Sequence, residues 1–132
     1  MERSPLRYPG GKSRAVHILF KILQTYFSVY KTIISPFVGG GSFEIFLSNK
    51  GYKVYANDLF EPVYLFWISI SLYPTLLKKE IQLLHPLDKV KFNNLRSRIK
   101  TESNIIKKAA MFYAINRSSF SGSTFSGGYS AE

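Results

Sequence analysis

"KTIISPFVGGGSFEIFLSNKGYKVYAND", residues 31–58, holds the order of elements that decides the fold. The β-branched run Thr32, Ile33, Ile34 reads as a short strand. Gly39, Gly40 and Gly41 follow it, so the backbone can turn sharply and a ligand can approach without side-chain obstruction. Ser42 is the expected cap of a helix over "FEIFLSNK", and Gly51 is its expected stop. "YKVYAND" then gives a second strand by its β-branched and aromatic content, closing at Asp58. Two strands joined through one helix imply a right-handed parallel crossover, the building unit of open α/β sheets.

Asp58 stands 19 positions after Gly39. That is about the spacing of roughly 20 residues at which an acidic residue at the end of the next strand reaches a ribose hydroxyl pair, because a carboxylate accepts both hydroxyl protons. A plain turn with a capping aspartate is the alternative reading of the same residues.

Upstream, "SPLRYPGGKSR", residues 4–14, ends in Gly-Lys-Ser and invites comparison with a phosphate-binding loop. That loop needs a glycine five positions before the Gly-Lys pair, and Leu6 stands there. Pro5 and Pro9 also disfavour the strand that should precede it. A turn leading into a helix fits better. Apolar residues between Ala15 and Phe27 recur at three- and four-residue spacing, an amphipathic helix with Ser13 in its cap region.

Downstream the pattern becomes helical, over 63–72, 75–84, 87–100 and 104–115, with Pro74 suited to a first turn. Tyr55, Phe60, Tyr64, Phe66 and Trp67 are expected in the core rather than as a stacking platform. The closing "NRSSFSGSTFSGGYSAE" is rich in Ser and Gly and reads as a mobile loop.

At 132 residues the chain is long enough for one domain with a conventional core, and 45% hydrophobic with 16% aromatic content is that of a globular protein. It has no cysteine, and His17 and His85 lie far apart, so disulfides and thiolate metal sites are excluded and no metal is expected. No signal pattern opens the chain, and its longest uncharged apolar run, residues 63–73, is short of the roughly 20 residues that span a bilayer, so no membrane is expected and a cytoplasmic location follows. The net charge is +10, and residues 78–117 alone hold ten Lys/Arg against Glu80, Asp88 and Glu102. Such a segment fits a polyanion, nucleic acid first, although a solvated helical face has the same composition.

Four stretches in order, "PLRYPGGKSR", "PFVGGGSFEIFL", "VYANDLFEPVYLFW" and "FYAINRSSFSG", resemble the opening motifs of the Dam-like adenine-specific DNA methyltransferases. The resemblance covers essentially the whole chain and matches the N-terminal portion of that family. It implies an α/β fold, a partial Rossmann-like S-adenosylmethionine-dependent methyltransferase fold with a helical DNA-binding segment, divided into a cofactor-binding part over 1–72 and a basic helical part over 73–132. By the same resemblance Tyr8, Gly11 and Lys12 line the S-adenosylmethionine pocket, with Lys12 at the methionine end of the cofactor. Pro36, Phe37, Gly39, Gly41 and Ser42 match the cofactor loop, Asp58 the residue that holds the ribose, and Leu59 a neighbour of the adenine. Asn116, Arg117 and Phe120 match the segment that enters the DNA-binding region, and double-stranded DNA is the implied partner.

Two departures from the family pattern stand out. An acidic residue usually precedes the Pro-Phe pair, and here that position is Ser35. Glu44, just after the loop, either compensates or is an ordinary first-turn carboxylate favoured by the helix dipole. The Asp-Pro-Pro-Tyr motif that accepts the adenine amino protons and stacks on the flipped base occurs nowhere in the 132 residues. The expectation is therefore the cofactor-binding portion of an adenine-specific DNA methyltransferase, truncated or split, that associates with itself or with a second chain carrying the catalytic half. The alternative is a non-catalytic nucleic-acid-binding or regulatory remnant.

Overall fold

The computed structural model describes residues 3–130. It divides the chain into two compact units, one formed by Met1–Pro5 with Gly10–Leu59, the other by Leu6–Pro9 with Phe60–Glu132.

The first unit runs α1 (Val16–Ile22), α2 (Gln24–Val29), β1 (Thr32–Ser35), α3 (Ser42–Asn49), β2 (Lys53–Ala56). The strands pair in parallel, with Thr32 opposite Lys53 and Ser35 opposite Ala56, so the crossover read from the sequence is present. The single helix expected over 15–27 is instead two. Leu23 leaves helical geometry at φ −92°, ψ 7°, and the Thr, Tyr, Phe and Val that follow are weak helix formers. Ser13 is not the cap either, since α1 starts from Ala15 without a side-chain cap.

The break serves packing. It carries Phe27 onto Phe20, with ring centres 5.5 Å apart and planes within 13°. Tyr52 closes the group from the other side, edge-on to Phe27 at 5.5 Å and donating its hydroxyl hydrogen to the Phe27 carbonyl at 2.9 Å. Phe43 and Phe46 of α3 complete an aromatic core. Helix α3 ends as expected at Gly51, whose φ of +84° suits the left-handed stop after a helix.

Only one face of the two-stranded sheet is covered. Ile33, Ser35 and Val54 are half-buried, while Ile34 is 78% and Tyr55 53% exposed. Tyr55 is thus outside the core, contrary to expectation, and its ring carries the Lys53 ammonium 4.9 Å from its centre.

The second unit is helical: α4 (Glu61–Leu72), α5 (Pro74–Leu84), α6 (Lys89–Arg98) and α7 (Ile105–Arg117), then a short turn of 3-10 helix at Phe120–Gly122. All four helices lie where the sequence placed them, within two residues at most boundaries. Pro62 and Pro74 occupy first turns, Asp88 caps α6 by accepting from Lys91 N at 2.7 Å, and Asn104 caps α7 by accepting from Ile106 N and Lys107 N. Helix α4, grouped by the sequence reading with the cofactor part, packs in this second unit.

Helix α7 is the axis of the unit. Its small residues Ala109, Ala110 and Ala114 let neighbouring helices approach, and Phe112 and Ile115 are buried among them. Phe66 of α4 stacks on Tyr113 at 5.7 Å and leans on Phe112, while Leu77 of α5 and Phe92 and Leu95 of α6 are buried. Phe66 fits the core expectation and Trp67 is half-buried, whereas Phe60 and Tyr64 are 42% and 40% exposed. An ion pair of 2.8 Å joins Lys108 of α7 to Glu61 at the start of α4.

The Ser/Gly-rich closing stretch is not a loose loop over its described residues, 116–130; residues 131–132 lie outside them. Ser119 bridges Tyr129, Phe120 N donates to Gly128 O at 2.9 Å, and Ser130 N donates to Ser118 O at 2.8 Å. The Tyr129 hydroxyl donates to Leu87 O, and the Arg96 guanidinium donates to the carbonyls of Phe125 and Gly127. Composition alone suggested mobility because Ser and Gly lack apolar surface; the order comes from hydrogen bonds instead.

Candidate cofactor loop and nucleic-acid face

Strand β1 delivers the chain into Pro36 and Phe37, and hydrogen bonds then fold the loop onto the end of β2. Asn57 N donates to Ser35 O, Val38 N donates to Asn57 O, and Gly41 N donates to Val38 O, each at 2.8 Å. Gly39 and Gly41 take φ values of +49° and +67°, in the left-handed region that glycine enters without penalty. Gly41, not Ser42, stands at the helix cap; Ser42 is already the first residue of α3 and its side chain makes no cap bond. The left-handed turn explains the shift by one residue.

Asp58 meets this loop directly. Its Oδ2 accepts a hydrogen bond from Gly39 N at 2.8 Å, so the 19-residue spacing seen in the sequence closes into a contact. Asp58 is half-buried, while the flanking Leu59 is 90% exposed and Phe37 78% exposed. Two bare apolar side chains thus border a glycine loop and a carboxylate, a combination suited to a nucleoside with an apolar base and a hydroxyl-bearing sugar. Ser35, at the end of β1, donates its hydroxyl hydrogen to Glu44 Oε1 at 2.6 Å. Sequence reading links these two residues only as a departure and a candidate compensation; the direct hydrogen bond between them is visible in the structure alone.

Gly11 and Lys12 lie exposed between Gly10, at φ +73°, and α1. The Lys12 side chain forms no ion pair among the described residues. Tyr8, 37% exposed, belongs to the second unit.

In that second unit Asn116, expected at DNA, is fully buried. Its Oδ1 accepts from Arg7 N at 2.9 Å, and its Nδ2 donates to Arg7 O at 2.7 Å and Thr124 Oγ1 at 3.0 Å. One side chain thus reads both polar atoms of a distant residue's backbone, as a neighbouring strand would. Gly122 is held against the same residue: a Cβ there would sit 2.5 Å from Arg7 O. Asn116 accordingly holds the Arg7 backbone, and the exposed member of the expected set is Phe120, 70% exposed at the tip of the turn. The next residue, Ser121, holds a φ of +54°, a strained value for a residue with a side chain. Arg117 is half-buried, with its carbonyl accepting from the Arg7 guanidinium at 3.3 Å.

With this geometry in hand, the comparison with known proteins is decisive at one point. A model of the D12 class N6 adenine-specific DNA methyltransferases matches residues 8–131. The chain belongs to this family. No curated protein matches it. D12 class enzymes methylate adenine in DNA and, as DNA methyltransferases, generally use S-adenosylmethionine. The mixed helix and strand architecture with its parallel pair is compatible with the α/β fold of such methyltransferases. Among the described residues no helix is long and apolar enough to cross a membrane, and no group of three His, Cys, Asp or Glu could hold a metal ion.

Proposed function

We propose that this D12 class chain binds S-adenosylmethionine at the loop between β1 and α3 and presents a basic helical face to double-stranded DNA. The observation that carries the reading is the Gly39 N to Asp58 Oδ2 bond, which puts a carboxylate beside a glycine turn at the ends of both parallel strands. In open α/β sheets that is where nucleotide-type ligands sit, and it supports a Rossmann-like character for this unit. Pro36, Phe37, Gly39, Gly41 and Ser42 form the wall, Asp58 accepts the ribose hydroxyl protons, Leu59 packs near the adenine, and Lys12 meets the carboxylate of the methionine end. The donor set suits the group: it carries a sulfonium and a zwitterionic amino acid but no phosphate, so a loop that spends a glycine N–H on its own aspartate loses nothing it needs. The cofactor, when bound, supplies the activated methyl group.

On the second unit, Arg117, Phe120 and the lysines and arginines of α5, α6 and α7 are the DNA-facing set, with Asn116 holding their scaffold. The division into a cofactor part and a basic DNA part over 73–132 follows this assignment. Methyl transfer to the adenine amino group also needs a carboxylate and a stacking aromatic of the Asp-Pro-Pro-Tyr kind, and the 132 residues do not contain that motif. They come from outside these residues. Titration of the protein with S-adenosylmethionine, followed by methyl transfer with and without a chain bearing Asp-Pro-Pro-Tyr, tests the reading. Binding by these 132 residues alone and transfer only when Asp-Pro-Pro-Tyr is supplied is expected; robust transfer by the 132 residues alone contradicts the reading.

The surplus of seven positive charges over residues 78–117 favours a second reading, a nucleic-acid-binding remnant without cofactor. Both readings require DNA binding that weakens steeply with salt, since neutralised phosphates release counterions. DNA binding with no cofactor affinity would select the second.

A further inference from the structure

Between residues 10 and 59 there are six Lys/Arg and only two acids, Glu44 and Asp58. Both acids are tied to the same loop. Asp58 accepts from Gly39 within it, and Glu44 accepts from Ser35 at its entrance. Ser35 is itself fixed, because its carbonyl accepts from Asn57 N at 2.8 Å while its hydroxyl reaches Glu44 at 2.6 Å. Despite the basic surroundings, the half-buried Glu44 pairs with no Lys or Arg among the described residues. A carboxylate held partly out of water by a neutral hydroxyl retains capacity for a cation.

We infer that Glu44, oriented by Ser35, receives the ammonium group of the amino-acid end of S-adenosylmethionine. The inference rests on the cofactor reading above and deepens it. The ligand presents a ribose diol, a carboxylate and an ammonium; Asp58 and Lys12 answer the first two, and Glu44 is the remaining acid of residues 10–59. Glu44 is then a binding residue and Ser35 a positioning residue. The competing role, a first-turn carboxylate that only stabilises α3 through its dipole, predicts a different pattern of losses.

The test compares three ligands by calorimetric titration: S-adenosylmethionine, S-adenosylhomocysteine, and 5′-methylthioadenosine, which keeps the nucleoside but lacks the amino acid. Glu44→Gln is expected to weaken the first two on the order of tenfold or more, the scale of one charge-assisted hydrogen bond, and to leave the third unchanged. Ser35→Ala is expected to show the same selectivity with a loss of about threefold, and it serves in place of Glu44→Gln if that variant does not fold. Equal affinity of wild type and variants for S-adenosylmethionine overturns the inference and leaves the cofactor reading standing. So does an equal loss for all three ligands accompanied by a lower melting temperature. Failure of the wild type to bind any of the three removes both.

Discussion

The two units bury their side chains in different ways. In the second, α7 is enclosed on several sides, and Phe66, Phe92, Phe112 and Ile115 are almost wholly inaccessible. In the first, the aromatic core lies on one side of the parallel pair and Ile34 and Tyr55 stand on the other, open to solvent. Parallel strands are ordinarily covered on both faces. The contrast teaches that the helical unit buries its apolar side chains around α7, whereas the strand unit is organised around a loop and leaves apolar surface open.

That contrast can be broken at its strong end. Phe112→Ala removes a ring packed against Phe60 and Phe66, and is expected to destabilise the second unit by about 3–5 kcal/mol, read by urea unfolding with Trp67 fluorescence. Asn116→Ala comes next, at about 2–3 kcal/mol, because it strips the partners from Arg7 and Thr124 together. Gly122→Ala should approach the same loss, since its Cβ would collide with the Arg7 carbonyl and its φ is +70°; wild-type stability in that variant would show that the turn shifts freely. At the weak end, Ile34→Ser should change the unfolding free energy by less than about 0.5 kcal/mol, as befits an exposed position. Its effect belongs elsewhere: sedimentation should show weaker self-association once an apolar residue leaves the open sheet face.

Much of this organisation is legible in the sequence, and the reasons are physical. Helices α4 to α7 announce themselves through prolines at first turns, Asp88 and Asn104 at caps, and apolar spacing, all of which are local signals. The crossover is legible because the glycines at 39–41 and Asp58 occupy fixed positions relative to two β-branched runs. What escapes is whatever depends on a distant partner. Leu23 breaks α1 from α2 because Phe27 has to reach Phe20 and Tyr52, a demand that periodicity does not express. The closing stretch has the composition of a linker, yet its buried Ser119 and Thr124 are committed to each other and to Asn116. At the candidate site, the Gly39 to Asp58 contact is foreshadowed by spacing, while the Ser35 to Glu44 contact pairs one residue that sequence reading saw as an absence with another that it left undecided. Asn116 and Phe120 match together, by resemblance, a segment that enters the DNA-binding region, yet the first is buried and the second exposed, a difference that sequence does not express.

The grip of Asn116 on Arg7 spans 109 positions of chain. Loop-closure entropy must be overcome before a contact of that separation can reward it, and such non-local contacts slow folding. On the ribosome, residues 6–9 are made before α7 and lack the Asn116 side chain to dock against until that helix has emerged. The segment around Arg7 thus settles only once α7 is in place, and a fragment ending before residue 116 leaves it without its anchor.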